Sequence, residues 1–218
     1  MCIDQVDRAF TFKSRYLNKF QGRERLEQIF YADISSPIDT IWAASTRKGL
    51  FQLEISRPKE VFLAYVGRRI RGQLEYDPDR FDELKASLKK YFDGEKMDFE
   101  LPLDLRGTGF QMSVWRAIQR IPYGKISSYG RLAMEAGRPR AVRAAGNAVG
   151  DNPISIVIPC HRVIRSDGSL GGYGGGLDVK RYLLRLEGVL KEGESSPISA
   201  LEREYPMNRD DLLRYWFE

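Results

Sequence analysis

Residues 154–162 of the chain read ISIVIPCHR, an apolar run that ends in a proline, a cysteine and two basic residues. The β-branched segment 154–158 predicts a buried strand that delivers the chain to Pro159 and Cys160. His161, the only histidine among 218 residues, follows the cysteine directly. A thiol beside an imidazole is a candidate nucleophile, although a lone cysteine is more often an inert core residue.

The neighbours of Cys160 favour the reactive interpretation over the inert one. His161 and Arg162 are expected to lower the pKa of the thiol, and Glu187 can hold the imidazole in one tautomer. Because adjacent side chains on an extended chain point in opposite directions, contact between the thiol and the imidazole requires a bridging water or a bend after Pro159. A cysteine protease needs a similar thiol and base, but it does not need the basic helices that precede this stretch.

Two short helices around a tight turn are predicted before the cysteine. Ser127 or Ser128 can cap the first helix, which ends near Ala136. Pro139 is placed as the first residue of the second helix, which runs over residues 140–149. Two helices around a glycine-containing turn form a helix-turn-helix, a pattern that is typical of DNA-binding proteins.

The helix predicted over residues 140–149 is almost without bulk, since Ala144 and Gly146 lie there among three further alanines. A helix that reads the major groove normally presents long polar side chains to the base edges. A thin helix that carries Arg140 and Arg143 can instead approach the minor groove, which is only about 6 Å wide. The alternative is a helix packed tightly against a neighbour, which small residues also permit.

The N-terminal part of the chain predicts a small α+β unit. Strands are expected over residues 41–46 and 51–55, and a third strand is expected from Glu60 to Val66. A helix is expected to begin at Asp79 and to end at the Asp93-Gly94 pair, with Phe81, Leu84, Leu88 and Tyr91 on one apolar face. The expected content is therefore a small sheet plus a helix.

A change in composition divides the chain into three parts. Residues 102–107 have the composition of a linker, and Thr108 and Gln111 then have capping-box spacing at the start of a helix. We expect an α+β N-terminal domain over residues 1–105, followed over residues 106–190 by a mostly helical C-terminal domain with the helix-turn-helix and the active-site cysteine. Residues 191–218 form a C-terminal extension whose apolar end is expected to pack against the protein.

The charge of the chain is concentrated in its middle. The net charge is +5, but residues 106–191 hold 14 Lys and Arg against 5 Asp and Glu, which is 14 − 5 = +9. The residues before them balance to zero, and the residues after them carry −4. A basic segment of this kind suggests a polyanionic partner, nucleic acid first, although a solvated cationic face is the alternative.

Composition excludes several classes of protein. With 42% hydrophobic and 30% charged residues, the chain is not wholly disordered. It has no run of about 18 apolar residues for a membrane span and no signal-peptide pattern, so we expect a cytoplasmic protein without membrane contact. Two cysteines and one histidine are too few for a structural zinc site or a disulfide scaffold.

Several segments together resemble one family, the O6-alkylguanine-DNA alkyltransferases or methylated-DNA–protein-cysteine methyltransferases. Residues 158–164, which read IPCHRVI, match the active-site signature of that family. The resemblance is strong from about residue 107 to about residue 188 and weaker over residues 35–105. Further segments in the family's order and spacing are GTGFQ at 107–111, IPYG at 121–124, Ser128-Tyr129, Arg143-Ala144, Asn152-Pro153, Gly172-Tyr173 and Glu187-Gly188.

The resemblance implies direct repair of alkylated double-stranded DNA. Cys160 would take the alkyl group from O6 of guanine, and also from O4 of thymine, in a single turnover. The protein would approach from the minor groove and flip the damaged nucleotide out of the duplex, while Arg143 fills the gap that is left. No metal or cofactor takes part in this transfer, and we expect a monomer.

The same resemblance implies roles for other residues. His161 would be the base, bridged by water to Cys160 and held by Glu187, while Asn152 ties the helix-turn-helix to the active-site strand. Tyr129 would crowd the phosphate beside the flipped nucleotide and lie close to N3 of the ring. Further DNA contacts are expected at Ser128, Arg140, Ala144 and Gly146, and the substrate pocket is expected at Cys160, Val163, Tyr173, Gly174 and Gly175.

Two other functions remain open from the sequence. Relatives without a usable cysteine recognise alkylated guanine without repairing it and recruit other factors, which the presence of Cys160 argues against. A transcription regulator that is switched by its own alkylation needs a further sensor domain with a reactive cysteine, and the sequence shows none.

Overall fold

A four-stranded sheet forms the first part of the fold in a computed structural model that describes residues 26–194 and 196–197. Strands β1 (Glu27–Ile34), β2 (Ile41–Thr46) and β3 (Gly49–Ile55) form an antiparallel meander. Strand β4 (Gly72–Tyr76) pairs in parallel with β1, so the strand order is β3-β2-β1-β4. The strands predicted over residues 41–46 and 51–55 are confirmed.

The third predicted strand is wrong, because residues 60–66 lie in helix α1 (Lys59–Arg69). The buried residues of α1 are Phe62 and Val66, which are one helical turn apart and pack on the sheet against Ile29 and Phe51. An apolar run this short fits the period of a strand and the period of a helix, and here the helix buries Phe62 against the sheet. The helix predicted from Asp79 is confirmed as a 3-10 turn (Asp79–Phe81) that leads into α2 (Asp82–Phe92).

Residues 102–104 pair with β3, so the segment expected to be a linker is fixed against the sheet. The Leu50 N–H donates to the Pro102 carbonyl at 2.8 Å, and the Asp104 N–H donates back to the Leu50 carbonyl at the same distance. Arg106 forms ion pairs with both Glu27 and Asp104 at 2.6 Å. The main hydrophobic core accordingly runs from the sheet into the helices that follow.

The predicted helix-turn-helix is present, with one boundary corrected. Helix α3 (Gly109–Gln119) begins with the predicted capping box, and α4 (Tyr129–Glu135) is capped by the side chain of Ser128. Helix α5 (Val142–Gly150) begins later than predicted, because Pro139 lies in a turn that the Ala141 N–H closes by donating to the Arg138 carbonyl at 2.9 Å. Proline is favoured at the second position of such a turn, so it starts the turn and not the helix.

The predicted strand over residues 154–158 is buried but is not a regular strand. Ile154 forms a single bridge with Leu53, and Ile156 has a φ of +71°, which turns the chain back on itself. After this turn, strand β6 (Val163–Ile164) pairs in parallel with β5 (Ser127–Ser128). Helix α6 (Leu177–Leu186) is the last helix of the described residues.

Two further predictions concern the C-terminal extension and the absence of membrane-spanning segments. The C-terminal extension, whose apolar end is expected to pack, lies outside the described residues from residue 198 onward. Across the described part of the chain, no helix is both long enough and apolar enough to cross a membrane.

Candidate active site

A pocket of about 590 Å³ lies between α4, α5 and the segments that follow β6. Cys160 is on its wall, together with five more residues that the sequence predicted for the site: Tyr129, Arg143, Gly146, Tyr173 and Gly174. The remaining predicted residues do not line the pocket. They are Ser128, Arg140, Ala144, Asn152, His161, Val163, Gly175 and Glu187.

The thiol of Cys160 is held in place by one amide side chain. Cys160 lies in a 3-10 turn (Cys160–Arg162) directly after Pro159, so the bend that the sequence offered as the alternative to a bridging water is present. Asn152 Nδ2 donates to Cys160 Sγ at 3.0 Å and to the Ile158 carbonyl at 2.8 Å, while its Oδ1 accepts from the Ile154 N–H at 3.1 Å. Asn152 follows directly after α5, so it links the helix-turn-helix to the turn that carries the cysteine.

Burial controls the pKa of the Cys160 thiol. Because the side chain is almost fully enclosed, desolvation raises its pKa, and the hydrogen bond from Asn152 opposes that effect only in part. The prediction that His161 and Arg162 lower this pKa is therefore wrong in its net direction. The guanidinium of Arg162 is engaged by another group, Glu187, at 2.9 Å.

His161 is fully buried and hydrogen-bonded to Glu187 through Nε2 at 2.7 Å. Burial lowers the pKa of His161, which favours a neutral imidazole. Since a carboxylate only accepts hydrogen bonds, Nε2 carries the proton and Nδ1 is left as an acceptor. Nδ1 is buried and has no hydrogen-bond partner among the described residues. The imidazole therefore has the tautomer of a general base, with its basic atom unoccupied.

Glu187 is the centre of a buried polar cluster that also contains Arg162 and Tyr91. Burial acts to raise the pKa of Glu187, but the bonds from His161 and Arg162 outweigh it and lower the pKa to about 2. Arg162 donates to both carboxylate oxygens, at 2.9 and 3.0 Å, and to the Ile121 carbonyl at 2.5 Å. The Tyr91 hydroxyl donates to Glu187 at 2.7 Å. We call Tyr91, His161, Arg162 and Glu187 the inner cluster.

Tyr91 shows that the N-terminal domain reaches the site. It lies in the last turn of α2, where the sequence indicated only a core position. Its hydroxyl is 96 residues away in sequence from Glu187, to which it donates. No local pattern could have indicated this pairing.

Tyr129 and Gly171 meet closely at the pocket. Tyr129 is the first residue of α4, and burial raises the pKa of its hydroxyl. A Cβ atom at Gly171 would lie 2.8 Å from the Tyr129 hydroxyl oxygen, and the φ of Gly171 is +68°. Only glycine fits both the conformation and the space at position 171, so the backbone at Gly171 sets the position of the Tyr129 ring.

A buried lysine links two backbone segments next to the pocket through hydrogen bonds. Lys180 in α6 is fully buried, and its Nζ donates to the Val163 carbonyl at 2.6 Å and to the Leu170 carbonyl. Burial lowers the pKa of Lys180 to about 8. The sequence analysis did not identify this residue, because α6 reads as an ordinary amphipathic helix.

Both domains of the chain match known protein families and structures. The DNA-binding domain of 6-O-methylguanine DNA methyltransferase matches residues 109–189, and the ribonuclease-like domain of that protein matches residues 29–105. A methylated-DNA–protein-cysteine methyltransferase from Methanosarcina barkeri is 44% identical over 161 residues, which cover 73% of this chain and 97% of that protein. The inducible enzyme of that name from Bacillus subtilis is 41% identical, covering 67% and 83%.

A solved structure of a related protein also matches this chain. The OGT protein of Mycobacterium tuberculosis, in complex with DNA, is 42% identical and matches with a TM-score of 0.65, covering 73% of this chain and 93% of that one. On these similarities in sequence and structure, the chain belongs to the methylated-DNA–protein-cysteine methyltransferases, a family of DNA-repair enzymes.

Proposed function

We propose that this protein repairs double-stranded DNA by moving the alkyl group from O6 of guanine to Sγ of Cys160. The observation that carries the proposal is the position of that sulfur. It lies on the wall of a pocket shared with Tyr129 and Arg143 of the helix-turn-helix, and Asn152 holds it at 3.0 Å. The names of the relatives describe methyl transfer from DNA to a protein cysteine, and the OGT structure contains DNA.

The transfer is a displacement at carbon. The Cys160 sulfur attacks the alkyl carbon, the bond from that carbon to O6 breaks, and the bonding electrons pass to the guanine ring. The thiol proton passes through a bridging water to Nδ1 of His161, and the Tyr129 hydroxyl protonates the leaving base at N3. Tyr129 then regains a proton through solvent from His161, so both residues end neutral and the proton that the thiol loses is the one that guanine gains. The carbonyls of Cys160 and Val163 and the N–H of Gly174 orient the base, the Val163 carbonyl from behind the pocket wall with the lone pair that Lys180 leaves free.

The buried network prepares the thiol for this step. Glu187 accepts a hydrogen bond from the Nε2–H of His161, which keeps Nδ1 available as the base. Because burial raises the pKa of Cys160, the resting thiol is protonated and only weakly nucleophilic at neutral pH. Deprotonation is then coupled to arrival of the substrate, which protects the sulfur from other reagents.

Access to a buried sulfur requires the nucleotide to leave the duplex. Helix α5 approaches the minor groove, Arg143 occupies the gap in the base stack, and Tyr129 crowds the neighbouring phosphate. Ser128, Arg140, Ala144 and Gly146 lie along the DNA strand, and Tyr173 and Gly175 support the pocket wall. O4-alkylthymine presents the same alkyl–oxygen group and is a second substrate.

The product limits each molecule to one reaction. A thioether is a poor leaving group, so the alkyl group stays on Cys160 and the monomeric protein acts once. The test is to mix the protein with excess duplex that contains O6-methylguanine and to count the guanines restored. One guanine restored per protein molecule supports the proposal. Continued turnover would contradict it, and tight binding without repair would indicate a damage-recognition protein instead.

A further inference from the structure

The turn that follows β6 forms part of the pocket wall and has no role in the proposed chemistry. Arg165, Ser166 and Asp167 all line the pocket, and all three are exposed. The backbone of the turn is fixed, since the Arg165 N–H donates to the Ser169 carbonyl at 2.9 Å and the Gly168 N–H donates to the Arg165 carbonyl at 3.0 Å. A rigid turn therefore presents these side chains at the mouth of the pocket.

The strand register places Arg165 next to Tyr129. Strands β5 and β6 are parallel, and Ser128 pairs with Ile164. The next residue of each strand, Tyr129 and Arg165, therefore leaves the pair at the same end. Both line the pocket, and the positive charge of Arg165 acts to lower the pKa of Tyr129 against the stronger effect of burial.

The guanidinium of Arg165 is available for a ligand. Over the residues that the structure describes, its side chain forms no ion pair and no hydrogen bond, whereas Arg162 is buried against Glu187. Arg143 is also exposed on the pocket wall, from α5. The one acidic residue among those that line this pocket is Asp167, whose Oδ1 accepts from the Ser169 N–H at 2.8 Å.

We propose that Arg165 binds a phosphate of the damaged strand beside the flipped nucleotide, on the part of the pocket rim that the turn after β6 forms. When a base enters the pocket, its phosphodiester remains at the mouth because the strand is continuous. A guanidinium binds a phosphate through two parallel hydrogen bonds, which an exposed arginine on a rigid turn can supply. Tyr129 crowds the strand at this rim, and Arg165 holds it there. This inference rests on the proposed function.

The test measures methyl transfer in a single turnover, with protein in excess over a duplex that contains one O6-methylguanine. Arg165→Ala is expected to lower the second-order rate constant roughly tenfold, because a charge-assisted contact is lost. It should also reduce the slope of log rate constant against log salt by about 0.9, as one phosphate contact fewer requires. Arg165→Lys should keep that slope while recovering only part of the rate.

The matched control is Arg185→Ala, which removes an exposed arginine from α6 that does not line the pocket. Equal rates and salt slopes for the Arg165→Ala and Arg185→Ala variants would overturn the inference. Asp167→Asn keeps an acceptor for the Ser169 N–H but removes the opposing charge, so the rate should rise about twofold. No rise would also count against a phosphate at this rim.

Failure of the proposed function would be visible separately. If the wild-type protein transferred no methyl group, the proposed function would be wrong, and the inference about Arg165, which rests on it, would be wrong as well. If the wild-type protein transferred the group and only the Arg165 variants behaved like the control, the repair function would stand and this inference alone would be wrong.

Discussion

The charged side chains behind the pocket are paired with one another, whereas those at its mouth are exposed and unpaired among the described residues. Behind it, His161, Arg162 and Glu187 are buried, and both His161 and Arg162 form hydrogen bonds with Glu187 at 2.7 to 3.0 Å. At the mouth, Arg143 and Arg165 are exposed and form no ion pair with any residue that the structure describes. We call these two residues the mouth arginines. A charge removed from water must be paired within the protein, whereas an exposed charge remains available for a ligand.

This difference separates two kinds of behaviour. The inner cluster should govern the chemical step, its pH dependence and the stability of the fold, with little response to salt. The mouth arginines should govern association with DNA and its salt dependence, with little effect on stability. Variants of each group can break or sharpen this separation.

The largest expected effect is on the nucleophile itself. Cys160→Ala should abolish methyl transfer, since no other cysteine lies in the described part of the chain, while DNA affinity stays unchanged. Transfer is measured by restoration of guanine, and affinity by fluorescence anisotropy of a labelled duplex. Residual transfer by this variant would remove Cys160 from the role of acceptor.

Glu187→Gln should lower both the stability and the rate. The change leaves the buried guanidinium of Arg162 without its carboxylate, which is expected to reduce the free energy of unfolding at pH 7 by about 3–5 kcal/mol. It also replaces a carboxylate, which can only accept from Nε2 of His161, with an amide that can donate to it, so the tautomer with a free Nδ1 is no longer fixed and transfer should slow. Urea unfolding followed by tryptophan fluorescence measures the first effect.

The same variant carries a pH prediction with a definite sign. The folded-state pKa of Glu187 is lowered to about 2 from an ordinary value of 4.5. A carboxyl with a lowered folded-state pKa stabilises the fold above its ordinary pKa and loses that contribution as the pH falls. The stability difference between wild type and variant should therefore be full at pH 7 and shrink between about pH 4.5 and about pH 2. A constant difference would contradict this account.

Arg143→Ala should separate DNA binding from chemistry. Repair in duplex DNA should fall roughly a hundredfold, because the gap in the base stack is no longer filled. Attack on the free base O6-benzylguanine, which has no duplex to distort, should change less than twofold. The unfolding free energy should stay within about 0.5 kcal/mol of wild type. Equal losses on both substrates would show that Arg143 does not replace a flipped base.

Asn152→Ala should give the smallest of these effects on the rate, roughly tenfold at neutral pH. The hydrogen bond from Asn152 to Sγ favours the thiolate, so its loss should raise the thiol pKa further. The rate should then recover as the pH rises, because more thiolate forms. The measurement is the pH–rate profile with O6-benzylguanine. A lower rate with an unchanged profile would reduce Asn152 to a purely structural role.

Local patterns were sufficient where residues act on near neighbours. The capping box at Thr108, the cap at Ser128 and the position of Cys160 after an apolar run are all visible as short-range signals. The predicted pair of His161 and Glu187 also meets in space, at 2.7 Å. That prediction came from the family resemblance and from the presence of one histidine, because 26 residues separate the two.

Other features depend on tertiary packing and could not be predicted locally. Residues 60–66 fit a strand or a helix equally well, and only the sheet beneath them selects the helix. Tyr91 read as a core position because its partner Glu187 belongs to the other domain. Arg165 was not identified from the sequence, since only the pairing of β5 with β6 brings it beside Tyr129.

The most direct test of the central claim is the mass of the protein after it is mixed with a duplex that contains one O6-methylguanine, followed by peptide mapping. The account predicts one added methyl group per protein molecule, found on the peptide that contains Cys160. An unmodified protein, or a methyl group on any other residue, would contradict it.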